Sequence, residues 1–564
     1  MENGGIYENG VSLTPGVYQL RMMHEKSGSE DGKLVLQAYN AHFYGLLADT
    51  ILVDTQSKET ISEFYVTASI GAEDSPVVLE YQGTEPLTIT ELEITKTNKG
   101  ARIWVVSILM GSFLINSLVM LYVYWGKYSV TLKEVITYFG TLALAALASM
   151  PVFTDYLIQN LQLNENLQRI ELLAAGKPDF SFQSKLFWML PAFFRWVGFP
   201  VGVCYSIFII VINLATVWVT YMVFTRLFQN CCLGIFGSIL YTLMPYRLEC
   251  IYGMGDVGEV LAMIFLPVVC YGWYLLFAPA KKQYTEDASW LVLGLGLSGI
   301  LHAKLLSLGI VLCFMILAGL LQLKAVVAKK TFIRLLKVTG VILVCNLWYL
   351  LPVVEVAVKD YSWYETIAGR HIQEYGIRLE HISFHMQYLG VLAIVIGIVV
   401  FLSLARRYQN NNCQQGGIRA LVVGVVAWIL STAYFPWGAI QISNRITGTL
   451  IPLLGSPARL QSVAAICLVI VVCIAGYWML DQRSVVERVL YFGSVGGCYL
   501  LAAIYQVNSI LENSAQIVRP YMIKTPFIGG GVYEAPWYWY VAKLISVIGI
   551  FLLVWHINKK RRKR

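Results

Sequence analysis

Of 564 residues, 57% are apolar and only 13% charged, which excludes a soluble globular enzyme and fits a polytopic membrane protein, since each crossing helix needs about 20 mostly apolar residues. The formal net charge of +8 is no nucleic-acid signature: the basic residues crowd the short loops between apolar runs and the tail Lys559 to Arg564, as the positive-inside rule requires of cytoplasmic segments. None of the eleven cysteines lies before Cys204 and no C-x-x-C occurs, so neither a disulfide framework nor a zinc knuckle is indicated. The adjacent Cys231 and Cys232 read as inert.

Residues 1–100 have a texture of their own. GVYQLRMM, KLVLQAY, DTILVD, ISEFYVTAS, PVVLEY and LTITELEITK are short, β-branched or aromatic, and bounded by turn residues, which predicts a jelly-roll-like β-sandwich. Tyr18, Tyr39 and Tyr44 suit core or edge packing there, with sugar binding as the alternative. Residues 101–564 form a mainly α, multi-span membrane bundle of about thirteen apolar spans, the first over 103–125. Lys127, Lys133, Arg226, Lys281, Lys282, Lys324 to Lys337, Arg406, Arg407, Arg483, Arg488 and the tail at 557–564 fall in alternate loops, which are therefore cytoplasmic. That places the β-domain outside and the C-terminus inside; an exported domain needs a signal, so an upstream anchor helix is expected.

The first outer loop, 153–199, is too polar to span. Leu161, Leu163, Leu167, Ile170 and Leu173 form an approximate helical stripe, so part of the loop is predicted to lie flat on the membrane as an amphipathic helix. Asp155 emerges directly from a span; Glu165 and Glu171 follow. Next comes the stretch around which the chain is organised, Leu240 to Val269, where two apolar runs flank Arg247, Glu249, Asp256 and Glu259. Ionisable groups are expensive inside a bilayer, by about 2.5 kcal/mol or more, so these residues predict a cavity mouth. Asp256 and Glu259 fall in the first turn of the returning helix, on one face, where the helix dipole favours carboxylates. Gly253, Gly255 and Gly258 spell G-x-G-x-x-G, but no strand precedes them, so they indicate a tight re-entrant turn and not a nucleotide site. Arg247 can serve a phosphate or form an ion pair with Asp256 or Glu259.

Later outer segments bring His302 and Lys304 at a tight helix–helix turn, a loop from Lys359 to Gln387, a segment with Arg445 and Arg459, and a loop from Asn508 to Trp537. Glu380, His381 and His385, with His371 and Glu374 nearby, lack the full H-E-x-x-H pattern, so no metal site is assigned. A divalent cation as cofactor is left open.

The order of an outer amphipathic loop with Arg169 and Ile170, then Pro245-Tyr246-Arg247, Gly253 to Gly258-Glu259, Phe265-Leu266-Pro267 and His302 between two spans resembles a group of bacterial membrane proteins in the GT-C glycosyltransferase superfamily, often labelled a 6-pyruvoyl-tetrahydropterin synthase-related membrane domain. The resemblance covers roughly 132–352, and more loosely Phe435 to Trp437 and Arg459. It implies a bacterial cell-membrane enzyme with its active site on the outer face. The implied donor is a polyprenyl-phosphate-linked sugar and the acceptor an extracytoplasmic glycan, cell-wall polymer or lipid, with a first-loop carboxylate as base. Where the family pattern has that acid and a histidine, this chain has Gln162 and Asn166, neither able to act as a base at neutral pH.

Transfer of a sugar from a lipid phosphate needs a base for the acceptor hydroxyl and cations for the departing phosphate. Asp155 is the preferred base, since a carboxylate held at a span end is partly desolvated, although an Asp there also suits a helix cap; Glu165 is the second candidate. Arg247 leads the phosphate set through its planar fork, with Arg169, Lys304 and Arg459 as helpers. Asp256, Glu259 and His302 complete the substrate-binding candidates, a lone histidine at a turn also suiting a structural role. Loss of the family base keeps a second reading open, a non-catalytic transporter of lipid-linked precursors or an assembly scaffold.

Overall fold

The computed structural model describes residues 5–8, 16–25, 33–39, 46–52, 58–66, 77–82, 88–96, 111, 132–153, 160, 162–176, 184–199, 201–277, 283–359, 371–378, 387–407, 412–443, 447–448, 451–516 and 537–562. Asp155, Tyr44, Glu380, His381, His385 and Arg445, and all but one residue of the expected first span, lie outside these.

All six expected N-terminal segments hold strands, and a seventh, β1 (Gly5–Glu8), precedes them unforeseen: β2 (Gly16–His24), β3 (Lys33–Tyr39), β4 (Leu46–Leu52), β5 (Glu59–Val66), β6 (Val77–Gln82) and β7 (Ile89–Lys96). They pair antiparallel in two sheets, ordered β1-β6-β3-β4 and β5-β2-β7. The period of two is plain along β2, where Tyr18, Leu20, Met22 and His24 are buried while Arg21 points out and pairs with Glu59. His24 Nε2 lies 2.8 Å from Thr60 Oγ1, which satisfies the buried ring. Tyr18 is thus a packing residue.

The remainder is helical. In chain order come α1 (Leu132–Ala148), a 3-10 turn Met150–Phe153, α2 (Leu163–Ala174), α3 (Lys185–Val197), α4 (Val201–Phe228), α5 (Cys231–Thr242), a short helix Pro245–Leu248 running into a π-helical turn Glu249–Met254, α6 (Val257–Phe277), α7 (Gln283–Ala303), α8 (Leu305–Leu320), α9 (Lys329–Lys359), α10 (Gln387–Ala405), α11 (Asn412–Leu430), a short helix Trp437–Ser443, 3-10 turns Pro452–Leu454 and Pro457–Leu460, α12 (Gln461–Gln482), α13 (Val485–Gln516) and α14 (Trp537–Arg562). Among the described residues six helices, α4, α6, α9, α11, α12 and α13, are long and apolar enough to cross a membrane, and the chain is a multi-pass membrane protein. One further apolar pair is bent: α5 and the Pro245–Met254 segment meet at 53°, the form of a broken span or a re-entrant loop. Pro245, with no N–H to give and a fixed φ, starts the second half of this pair at its first position.

The α2 and α3 pair corrects the reading of residues 153–199. The stripe Leu163, Leu167 and Ile170 is at most 1% exposed because it packs against α3 and α4, and so does not rest on lipid; burial of each side chain is worth about 1.5–3 kcal/mol. It is α3 that presents an uncovered apolar face, through Leu186, Met189, Phe193 and Trp196 at helical spacing, while Trp188, Ala192 and Phe194 pack inward.

Two ends of the bundle are distinguishable. At one end Arg334 donates to the Leu276 carbonyl at 3.3 Å and Arg419 to Gln322 at 2.9 Å, with Lys324, Lys329, Lys330, Lys337, Arg406 and Arg407 exposed nearby in sequence. Asp256 begins α6 and Leu276 nearly ends it, so the two ends are roughly 30 Å apart at 1.5 Å per residue. Within the bundle α6 and α7 approach so closely that a Cβ at Gly272 would stand 2.7 Å from the Leu293 backbone.

Candidate functional site

The charged stretch after α5 builds a site around Asp256. Gly255 adopts φ +71°, the left-handed region that an L side chain enters only at about 1–2 kcal/mol. A Cβ there would also fall 1.9 Å from Asn160 Oδ1. This turn delivers Asp256 to the N-cap of α6, where Oδ1 accepts from the Glu259 N–H at 3.1 Å. The other oxygen, Oδ2, pairs with Lys304 and lies 3.5 Å from Arg459 Nη2. Asp256, Glu259 and Lys304 are buried, and the Arg459 side chain is 20% exposed. Burial alone would raise the Asp256 carboxyl, but Lys304 and Arg459 outweigh it and hold the group below its ordinary value. Glu259, one helical turn on, accepts from Ser307 Oγ at 2.7 Å. The turns after α7 and before α12 thus bring a lysine and an arginine to one carboxylate.

Residues 162 and 166 reach the same place. Asn166 Nδ2 donates to the Gly255 carbonyl at 2.8 Å and the Gln162 N–H to the Met254 carbonyl at 3.2 Å. Asn166 therefore buttresses the Asp256 turn with its side chain, and position 162 does so through its backbone N–H alone. Gly255→Ala is accordingly expected to cost about 1–2 kcal/mol from backbone strain alone, with the Asn160 clash added. Its measurement is equilibrium unfolding in bicelles; a variant as stable as the native chain would refute the turn's role.

The other expected site residues are placed elsewhere. Arg247 is fully buried and takes neither expected role: it pairs with neither Asp256 nor Glu259 and is sealed from any phosphate. Its Nη1 donates to the Thr242 carbonyl at 3.1 Å and its Nη2 to Asn213 Oδ1 at 2.7 Å and Thr216 Oγ1 at 3.0 Å. Asn213 is itself fixed by the Ala148 carbonyl, Ser149 and Tyr252. The π-helical turn explains the miss: it shifts the register between Arg247 and Asp256, so that the arginine faces α4. Arg169 stacks over Trp188 at 5.1 Å. His302 sits 3.0 Å from Ser184 Oγ, the cap of α3, and stacks on Trp348 at 5.3 Å, so it ties α3 to α7 and α9. Glu165 is exposed on α2, and Asp155 lies outside the described residues. Ser307, which the sequence reading missed, carried one signal: it stands three positions after Lys304 on the same helical face.

Among the described residues no group of three or more His, Cys, Asp or Glu side chains could hold a metal ion. Chemically, a buried carboxylate flanked by a lysine and an arginine is a site in which an incoming anion can take the carboxylate's place. No family model, no curated protein and no solved structure matches the chain.

Proposed function

We propose that the protein is a GT-C-like membrane glycosyltransferase that moves a sugar from a polyprenyl-phosphate donor to an extracytoplasmic glycan, cell-wall polymer or lipid acceptor. The observation that carries this reading is the meeting of Lys304 and Arg459 on one buried carboxylate, at the opposite end of the bundle from the basic loops. Exposed lysines and arginines at the far end favour a cytoplasmic face there, which puts the Asp256 site, and the N-terminal strands as a β-sandwich, outside, with the C-terminus inside. Six long helices, the bent pair and the shorter apolar helices α1, α7, α8, α10 and α14 make twelve crossings, and the expected span at 103–125, outside the described residues, brings them to the thirteen that this orientation needs.

In this reading Lys304 and Arg459 replace Arg247 as the phosphate clamp. Asp256 holds the two cations until the donor phosphate displaces it, and its lowered carboxyl value makes it a poor proton acceptor at neutral pH. The base remains Asp155. The acceptor oxygen bonds to the anomeric carbon, the bond from that carbon to the phosphate oxygen breaks with its electron pair leaving on phosphate, and the hydroxyl proton passes to the base. A transfer assay with a panel of polyprenyl-phosphate sugars tests this. Asp155→Asn and Arg459→Ala are each expected to lower turnover roughly 100-fold or more at unchanged folded fraction. No transfer by the native chain from any donor sinks the proposal.

One observation favours the non-catalytic alternative, a precursor transporter or assembly scaffold: the Asn166 side chain is spent on holding the turn. A transporter would pair the broken crossing at α5 with a second one in the other half; one bent pair occurs among the described residues.

A further inference from the structure

Between α9 and α10 and beyond α11, two segments form a built cleft that the Asp256 site does not use. The 3-10 turn Ile372–Tyr375 is anchored by Ile372, which is 0% exposed. Gln373 spans the floor with both ends of its amide, Nε2 donating to the Ala433 carbonyl at 3.2 Å and Oε1 accepting from the Gly438 N–H at 2.9 Å. A parallel bridge joins Ile377 to Thr432, with the Ile377 N–H on the Ser431 carbonyl and the Ala433 N–H on the Ile377 carbonyl, both 3.0 Å. The resulting cavity of about 510 Å³ is lined by His371, Gln373, Glu374, Arg378, Tyr434 and Gly438, with Ala433. Gln373 is committed to the scaffold. The His371, Glu374, Arg378 and Tyr434 side chains make no hydrogen bond or ion pair to another described residue, and all four are exposed.

We infer that this cleft binds an oligosaccharide. Its volume falls within the roughly 300–1,000 Å³ of small-ligand sites, yet its free groups are an imidazole, a carboxylate, a guanidinium and a phenol ring, which suit the hydroxyls and the apolar ring face of a sugar. An extended peptide is disfavoured, because the backbone groups of the bridge are already paired and offer no strand edge to extend. The cleft is wired to the charged site: Ser456 Oγ donates to the Tyr375 carbonyl at 2.8 Å and caps the turn that carries Arg459. Saccharide binding stands on the cleft alone. Its assignment as the seat of the acceptor rests on the transferase reading.

The test is saturation-transfer difference NMR on the full chain in nanodiscs, with cellotetraose, chitotetraose, a mannotetraose and a polygalacturonate tetramer as probes and a tetra-alanine peptide for comparison. At least one saccharide is expected to bind at millimolar concentration. Tyr434→Ala and the double variant Glu374→Gln/Arg378→Gln, all at exposed positions, are each expected to weaken it about tenfold, while Val486→Ala at a remote exposed site leaves it unchanged. Silence from all four saccharides, binding indifferent to the cleft variants, or capture of the peptide alone overturns the inference. Saccharide binding by a native chain that transfers no sugar sinks the transferase reading and leaves the cleft standing.

Discussion

Lys304→Met is expected to cost about 3–5 kcal/mol of stability at neutral pH, because it strands the Asp256 carboxylate in a dry site with Arg459 alone. The Arg459 contact, at 3.5 Å, is the looser of the two. Asp256→Asn/Lys304→Met is expected to recover most of the loss, since it removes both charges while an Asn can still cap α6 through the Glu259 N–H. Acid adds a second signature. A carboxyl held below its ordinary 3.8 contributes stability that is fully present above that value and is lost as pH falls through the lower folded one. The native chain should therefore keep this contribution from neutrality down to about pH 4, whereas Lys304→Met, whose Asp256 is held less firmly, shows less acid loss below it. Denaturant unfolding in bicelles at two pH values reads both effects. A change under about 1 kcal/mol at neutral pH would show that the pair is not a buried one.

Arg247→Met separates a structural from a catalytic arginine. The substitution removes charge-assisted hydrogen bonds worth about 1.5–3 kcal/mol each to Asn213 and Thr242, with a further contact to Thr216. It also relieves the burial of a guanidinium whose Nε has no hydrogen-bond partner among the described residues. The relief offsets part of the loss, and a net cost of about 2 kcal/mol is expected. Arg247→Lys should not restore it, because an ammonium on a flexible stem cannot span the carbonyl and the amide that the planar fork reaches together. If the protein is the transferase proposed above, KM for a lipid-linked donor should stay at the native value in the folded fraction. A tenfold rise in KM at native stability would return Arg247 to the phosphate.

How far the residues could be read depended on whether a partner was local. Apolar runs and the break at Pro245 to Gly255 were legible, because composition and glycine and proline chemistry act on the chain directly, and the strands of the first 100 residues followed from their alternation. The pairing of Asp256 with Lys304 and Arg459 was not, since it joins turns that only the packing of α6, α7 and α12 brings together. Arg247 was matched to the wrong partners by proximity in sequence. A better signal lay on α4, where Asn213, Thr216 and Thr220 make a polar row on an otherwise apolar helix, the kind of row that a buried arginine requires. The helix α2 failed for a different reason: its apolar stripe is equally suited to lipid or protein.

The glycine-mediated closeness of α6 and α7 has a mechanical meaning for the charges at their tips. Asp256 precedes one helix and Lys304 follows the other, and backbones nearly in van der Waals contact at Gly272 cannot slide past each other without a clash. That couple behaves as a rigid jaw. Arg459 rides on a separate turn ahead of α12, so its 3.5 Å contact with Asp256 is the one that can lengthen without the two helices moving.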